Sequence, residues 1–177
     1  MKDKTGSITL RAIQEKDLLL LNQLINDPEI NKKTVGESKP VTMKQQYEWF
    51  KGLKDSKDIR FIVADDDDNA LGTCIICEVD NNNKNCEIGI KLARSAQGKG
   101  IGTEAIKRAV DYAFRHLNMH RIYARILEDN IASRKLFEKI GFVFEGKQRQ
   151  AVFKNGKYND LCLYGLLEED YLHERNR

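Results

Sequence analysis

The 177 residues are 41% hydrophobic and 32% charged, with a net charge of +3. That length and balance suit one domain with a real core, and so small a charge excess excludes a fold built to grip polyanions, nucleic acid included. The charged start, Met1 to Leu10, has no apolar signal core, the leucine run Leu18 to Leu21 is far too short for a membrane span, and the four cysteines (Cys74, Cys77, Cys86 and Cys162) fit a reduced, cytoplasmic chain.

Ser7 to Ile13 alternates as a first strand. Glu15 to Asp27 has apolar residues at helical spacing and stops before Pro28. Val41 to Leu53 is a second helix with Thr42 at its N-cap. Ile59 to Val79 reads as strand, acidic turn, strand, the turn being Asp65 to Asn69. Asn85 to Ala93 is a further strand with Cys86, Ile88, Ile90 and Leu92 on one face. Gly98, Gly100 and Gly102 follow, and then a wide apolar stripe at helical spacing: Ala105, Ile106, Ala109, Val110, Ala113, Phe114 and Leu117. Arg121 to Leu127 is a strand, and Ala132 to Ile140 a short helix capped by Gly141. Phe142 to Leu167 ends the chain as strands around the hairpin turn Asn155-Gly156. Hairpins at both ends and a strand–helix–strand unit between them predict an α/β domain of the α+β type with a mixed, mostly antiparallel sheet.

The three glycines carry the first chemical signal. A helix N-terminus exposes unpaired N–H groups and partial positive charge. Glycines before it let the backbone approach a ligand closely, and Lys99 adds charge, so a phosphate or pyrophosphate is the natural guest. The loop lacks the Lys-Ser/Thr of a Walker loop, and Thr103 stands where a dinucleotide fingerprint needs its third glycine. What remains is Gln97-x-x-Gly100-x-Gly102, a spacing that a plain strand-to-helix connection would also satisfy.

The surroundings are more specific. Glu87 to Gly146, with the strand before the loop, Gln97-x-x-Gly100-x-Gly102, the long helix and the stretch Arg121 to Phe142, resembles the core of the GNAT superfamily of acyl-CoA N-acyltransferases. The likeness extends over Ile8 to Tyr171 as one domain, looks most like the branch of ribosomal-protein alanine/serine N-acetyltransferases, and is similar also to spermidine and nucleotide-amino-sugar acetyltransferases. It implies a sheet splayed at an acetyl-CoA site. The pyrophosphate would rest on the backbone of Gln97, Gly98, Lys99, Gly100, Ile101, Gly102 and Thr103. The pantetheine arm would run along Ile90, Lys91 and Leu92, with Asn130, Ser133 and Phe137 near the reactive end. It also implies dimerisation through the C-terminal strands, and no metal.

Acetyl transfer to an amine needs a base for the ammonium, a donor for the developing oxyanion and, in some enzymes, an acid for the thiolate. The resemblance places the donor on the backbone of Ile88 to Leu92. Glu87, on the strand face opposite Cys86 and Ile88, is the base the resemblance favours, where a partly dry cleft would raise its pKa; a solvated strand glutamate is the plain alternative. Phe137 stands where many members carry a tyrosine acid, and it cannot donate a proton; core packing with Ile140 is its plain reading. A thiol's ordinary pKa of about 8.5 makes its thiolate a tolerable leaving group, and Ser133, Tyr164 or water are the remaining acids. A non-catalytic acyl-CoA-binding module is the second reading, supported by Phe137, and a different nucleotide-binding domain the third.

Other features read as structure. Cys74 and Cys77 point to opposite faces of one strand and lack a second metal-binding pair. The acidic turn is a solvated hairpin, His116, His120 and His173 take surface or helix-end places, and Trp49 with Tyr47 and Phe50 belongs to the core or lines an acceptor cleft. Asp160 either faces the acceptor or stabilises a turn. The acceptor itself, whether a protein N-terminus, a polyamine or an amino sugar, is not written in the sequence; its specificity should lie in residues 26–53 and 147–160.

Overall fold

The computed structural model of the chain describes residues 7–36 and 39–175, so Met1 to Gly6 and, within the expected specificity stretch, Glu37 and Ser38 lie outside the described residues. Seven strands form one sheet in the order β1-β2-β3-β4-β5-β7-β6. They are β1 (Thr9–Ala12), β2 (Ile59–Ala64), β3 (Ala70–Asp80), β4 (Asn85–Leu92), β5 (Arg121–Leu127), β6 (Val143–Lys154) and β7 (Lys157–Leu167). Every neighbouring pair is antiparallel except β4 and β5. The mixed, mostly antiparallel α/β architecture read from the hairpin spacing is the one observed.

Helices cover both faces, as alternation in the strands requires. On one face α1 (Leu18–Asn26) and α2 (Pro28–Lys32) bury Leu18, Leu21, Leu24 and Ile30 against Ile62 and Ala64. On the other, α4 (Ile101–Arg115) lays Ala105, Ile106, Ala109, Val110, Ala113 and Phe114 on Cys86, Ile88 and Ile122, joined by Phe137 and Ile140 of α5 (Ile131–Ile140). Between these layers in sequence, α3 (Met43–Gly52) opens on a capping box: Thr42 accepts from the Gln45 N–H and Gln45 reaches back to the Thr42 N–H. The hairpin turn at Asn155 and Gly156 has positive φ at both residues, 55° and 76°, the twist a two-residue connection needs.

Two elements depart from expectation. Pro28 ends α1 but also begins α2: Asp27 caps the new helix through the N–H groups of Glu29 and Ile30, and proline occupies the first turn, where its missing N–H is no loss. The chain also ends in a helix, α6 (Glu168–Arg175), in place of a strand. The acidic turn is more than a solvated hairpin. Asp68 pairs with Arg11 and Lys16, which ties the β2–β3 turn to β1.

Candidate active site

The strand pair β4–β5 opens like a wedge. Its parallel ladder joins only Asn85 to Arg121, Cys86 to Ile122 and Glu87 to Tyr123, while both strands run on. On its other edge β4 stays paired with β3 as far as Leu92 opposite Gly72. Ala93 N–H donates to Leu71 C=O at 2.9 Å, and antiparallel hydrogen-bonded pairs alternate. The backbone groups of Lys91, Gly89 and Glu87 therefore face β3, and those of Ile88, Ile90 and Leu92 face the wedge. Beyond the ladder, Ile90 offers both N–H and C=O to the opening and Leu92 its N–H; the Leu92 C=O is taken by the Gln97 side chain at 3.0 Å. Of the three residues expected along the pantetheine arm, Ile90 and Leu92 present backbone to the opening, and Lys91 presents its backbone to β3 and only its side chain to a face.

The wedge leads into the glycine loop. Gly98 and Gly100 adopt positive φ, 71° and 78°, a conformation that costs an L side chain about 1–2 kcal/mol. Among the described residues the N–H groups of Gly98, Lys99, Gly100, Ile101, Gly102 and Thr103 find no acceptor. Six unpaired amides at the mouth of a 15-residue helix make an anion cradle. A Cβ on Gly98 would meet nothing within 4 Å, so the loop is open above it. Gly102 has a second reason to be glycine: a Cβ there would come within 2.7 Å of Leu136 Cδ1, so its lack of a side chain also sets how closely α4 meets α5. Arg94 grips Asp27 at the cap of α2 with two hydrogen bonds of 2.8 and 2.6 Å, anchoring the loop. The Arg94 hydrogen bond pulls the Asp27 carboxyl down to about 2.

Glu87, Gly89 and Lys91 share the face of β4 that α1 and α2 cover. The Glu87 side chain is 14% exposed, and Arg125 donates both Nε (3.0 Å) and Nη2 (2.6 Å) to Oε2 alone. Oε1 is without a partner among the described residues. Tyr123 lies directly across from Glu87; burial first, then the Glu87 charge, raises its phenol. No local pattern marks Arg125 or Tyr123, because Arg125 meets Glu87 across 38 residues of chain and Tyr123 reaches it only through the β4–β5 pairing.

The α5 residues divide differently. Asn130 caps the helix, accepting from Ser133 N–H at 3.2 Å, and its Nδ2 donates to Lys33 C=O at 3.0 Å. Both ends of its amide are therefore engaged in tying the segment after α2 to α5. Phe137 is 2% exposed, with its ring edge-on to Phe142 at 4.9 Å, so it sits in the core and not along the wedge. Tyr164 is fully buried; its hydroxyl donates to Glu138 at 2.7 Å and accepts from Arg134 at 3.1 Å.

Cys74 and Cys77 do point to opposite faces, and burial pushes the Cys74 and Cys86 thiols to about 12 and Cys77 to about 11. None is poised as a nucleophile. Asp160 accepts from Gln150 N–H at 2.8 Å and pairs with Lys147 at 2.9 Å, bracing the β6 bulge. Trp49 and Tyr47, each 37% exposed, are outside the core; only Phe50 of that aromatic group packs on it, and the Trp49 ring stacks on Arg60 at 5.7 Å.

Residues 7–143 match the family profile of the acetyltransferase (GNAT) domain. The chain is 32% identical over 168 residues to spermidine N(1)-acetyltransferase of Vibrio cholerae, covering 95% of this chain and 97% of that one. It is 30% identical over 175 residues to the putative ribosomal N-acetyltransferase YdaF of Bacillus subtilis, covering 95% of each. The fold superposes with a TM-score of 0.87, at 32% identity and over 93% of this chain and 98% of the other, on the crystal structure of the Vibrio cholerae spermidine N-acetyltransferase in complex with CoA and spermine.

Proposed function

The chain belongs to the GNAT acetyltransferase family and is an N-acetyltransferase; we propose that it carries the acetyl group of acetyl-CoA directly to a primary amine in a ternary complex, with Glu87 as base. The observation that carries this reading is the wedge itself. The unpaired backbone of Ile90 and Leu92 runs straight into the unpaired amides of Gly98 to Thr103. A long ligand with amide groups at one end and a pyrophosphate further along suits that run of donors and acceptors, and acetyl-CoA has that order of groups.

In this mechanism the Ile90 N–H, first beyond the β4–β5 ladder, donates to the thioester oxygen as negative charge grows on it. The acceptor amine sits over Gly89. Glu87 Oε1 takes its proton, directly or through one water, while Arg125 fixes the carboxylate through Oε2. The thiolate leaves without help from Phe137. These steps call for no metal, and the protein works in the cytoplasm, as one domain over residues 8–171, as a monomer or a homodimer joined through β6 and β7.

Calorimetric titration of the purified chain with acetyl-CoA, with ATP as control, followed by a CoA-release assay over an amine panel, tests this. Micromolar binding of acetyl-CoA and not of ATP, with turnover on an amine, is the expected outcome. Tight binding with no turnover on any amine would favour the second reading, an acyl-CoA-binding module, for which the burial of Phe137 at the usual tyrosine position is the supporting observation. No binding would remove the loop assignment altogether.

A further inference from the structure

Around Gly89 the sheet collects cationic donors that lack acceptors. Gly89 faces Ile75 on β3, and Ile75 faces Arg60 on β2, so the three lie in one row across the sheet, with Arg60 about 10 Å from Gly89 at ordinary strand spacing. Arg60 gives Nη2 to Asp58 at 2.9 Å and stacks its guanidinium on Trp49, but its Nε is buried with no partner. Lys91, two residues along β4 from Gly89, is half-buried, and its ammonium makes no hydrogen bond or ion pair among the described residues. Burial, then the charges of Lys154 and Arg60, lowers its ammonium from the ordinary lysine value. A buried donor without an acceptor is uncommon in a folded protein unless something else supplies the acceptor. The two nearby carboxylates do not reach these donors: Glu87 meets Arg125, and Asp58 meets Arg60 at Nη2 and not at Nε.

We propose that Lys91 and the guanidinium of Arg60 form an oxyanion-binding subsite beside the acceptor position, so that the acceptor is a primary amine carrying its own carboxylate or phosphate and not a polycation. The placement explains the chemistry on both sides of Gly89. Glu87 on one side receives the ammonium, and Lys91 on the other, with Arg60 in the row of Gly89 itself, receives the oxyanion, so a molecule with both charges is held across the glycine. Gly89 itself leaves the room, since a Cβ there would touch only Ile75 Cγ2, at 3.4 Å. A polyamine would place positive charge against the Lys91 ammonium, which has no carboxylate on it among the described residues. This inference rests on the acetyltransferase reading for its choice of amine.

The test uses matched pairs with the full chain and acetyl-CoA: β-alanine against β-alaninamide, and O-phosphoethanolamine against ethanolamine, with spermidine as the polycation. Turnover is followed by CoA release and binding by calorimetry on CoA-loaded protein, in wild type, Lys91→Met and Arg60→Met. The carboxylate or phosphate member of a pair is expected to be preferred by about 10- to 100-fold, a preference that Lys91→Met removes while the acetyl-CoA affinity stays unchanged. The pair that shows it tells carboxylate from phosphate. If the oxyanion-bearing amines bind through Lys91 but none is acetylated, the subsite stands and the transferase reading falls. If spermidine or the neutral partners bind or react as well or better, or if neither member of either pair binds, the subsite is overturned. If Lys91→Met weakens acetyl-CoA itself, Lys91 serves the acetyl donor and the proposal fails in that form. Replacing a half-buried ammonium by an apolar chain is also expected to raise the melting temperature, which separates lost recognition from lost folding.

Discussion

Glu87 keeps one carboxylate oxygen open because both donors of Arg125 go to the other. That asymmetry lets one side chain be fixed by an ion pair and still meet an acceptor. Glu87→Gln preserves the shape and removes the proposed base, so kcat is expected to fall by about 100-fold or more while the acetyl-CoA Kd from calorimetry stays level; turnover unchanged across pH would take Glu87 out of the mechanism. Gly98 offers a cleaner probe of the phosphate loop than Gly100 and Gly102 together, because Gly102 also sets the α4–α5 contact. Gly98→Val forces a branched residue into positive φ at a cost of about 1–2 kcal/mol, has free space for its side chain, and places that side chain where a pyrophosphate would approach. The variant should melt within several degrees of wild type and lose acetyl-CoA affinity by about 10-fold or more. Intact affinity would mean that the glycines only make a turn. At this scale the sequence could point to Glu87 only through the family resemblance. It could not point to Arg125, Lys91 or Arg60, whose meaning comes from what each one touches or fails to touch.

The site's geometry is set by how strands and helices are held. β4 can leave β5 only because β3 holds it firmly on the other edge. Gly72 is the point of closest approach: a Cβ there would fall 2.3 Å from Lys91 C=O and 2.9 Å from Leu92 Cα, both backbone atoms that cannot swing aside. Gly72→Ala must push the end of β4 away, costing about 1–3 kcal/mol. Denaturant unfolding should show that loss, and acetyl-CoA binding should weaken with it because Ile90 and Leu92 move; a variant with wild-type stability and affinity would show that β4 is not pinned there. On the covering face, Lys154 of the β6–β7 hairpin donates to the C=O groups of Thr34 and Gly36, both at 2.6 Å, while Asn130 holds Lys33. Three segments far apart in sequence thus close over the same cleft. Strands, caps and the long helix were legible from period and punctuation. The helix starting at Pro28 was not, since proline is a stop signal and a first-turn residue alike. Nor was α6, whose polar Glu168 to Arg175 sequence has only weak amphipathic character and is placed by packing Tyr171 on Phe114 at 5.7 Å.

Over the whole molecule, folding depends on carboxylates held in hydrogen-bonded ion pairs. Burial alone would raise the Asp17 carboxyl, but hydrogen bonds from Arg11 and the Gln14 N–H, with the charges of Arg11 and Lys16, hold it below its ordinary 3.8. A carboxyl lowered in the folded state binds its proton more tightly when unfolded. Its contribution to stability is therefore present in full above that ordinary value and is lost as pH falls through the lower folded one. Asp27, at about 2, acts in the same direction. Acid unfolding followed by circular dichroism should begin below about pH 4. Asp17→Asn, which leaves Arg11 with Asp68 alone, should cost about 2 kcal/mol at neutral pH and flatten the acid limb; an unchanged acid midpoint would assign the transition to other groups. What the sequence determined alone is the order of elements, the face each strand buries, the glycine-lined helix start and, through resemblance, the family: all depend on spacing within a few turns or strands. What only the tertiary structure decided is where β4 and β5 part, which backbone groups are left unpaired there, and which charged groups meet around Gly89. Those depend on separations of a few ångströms between residues tens of positions apart, and local pattern carries no record of them.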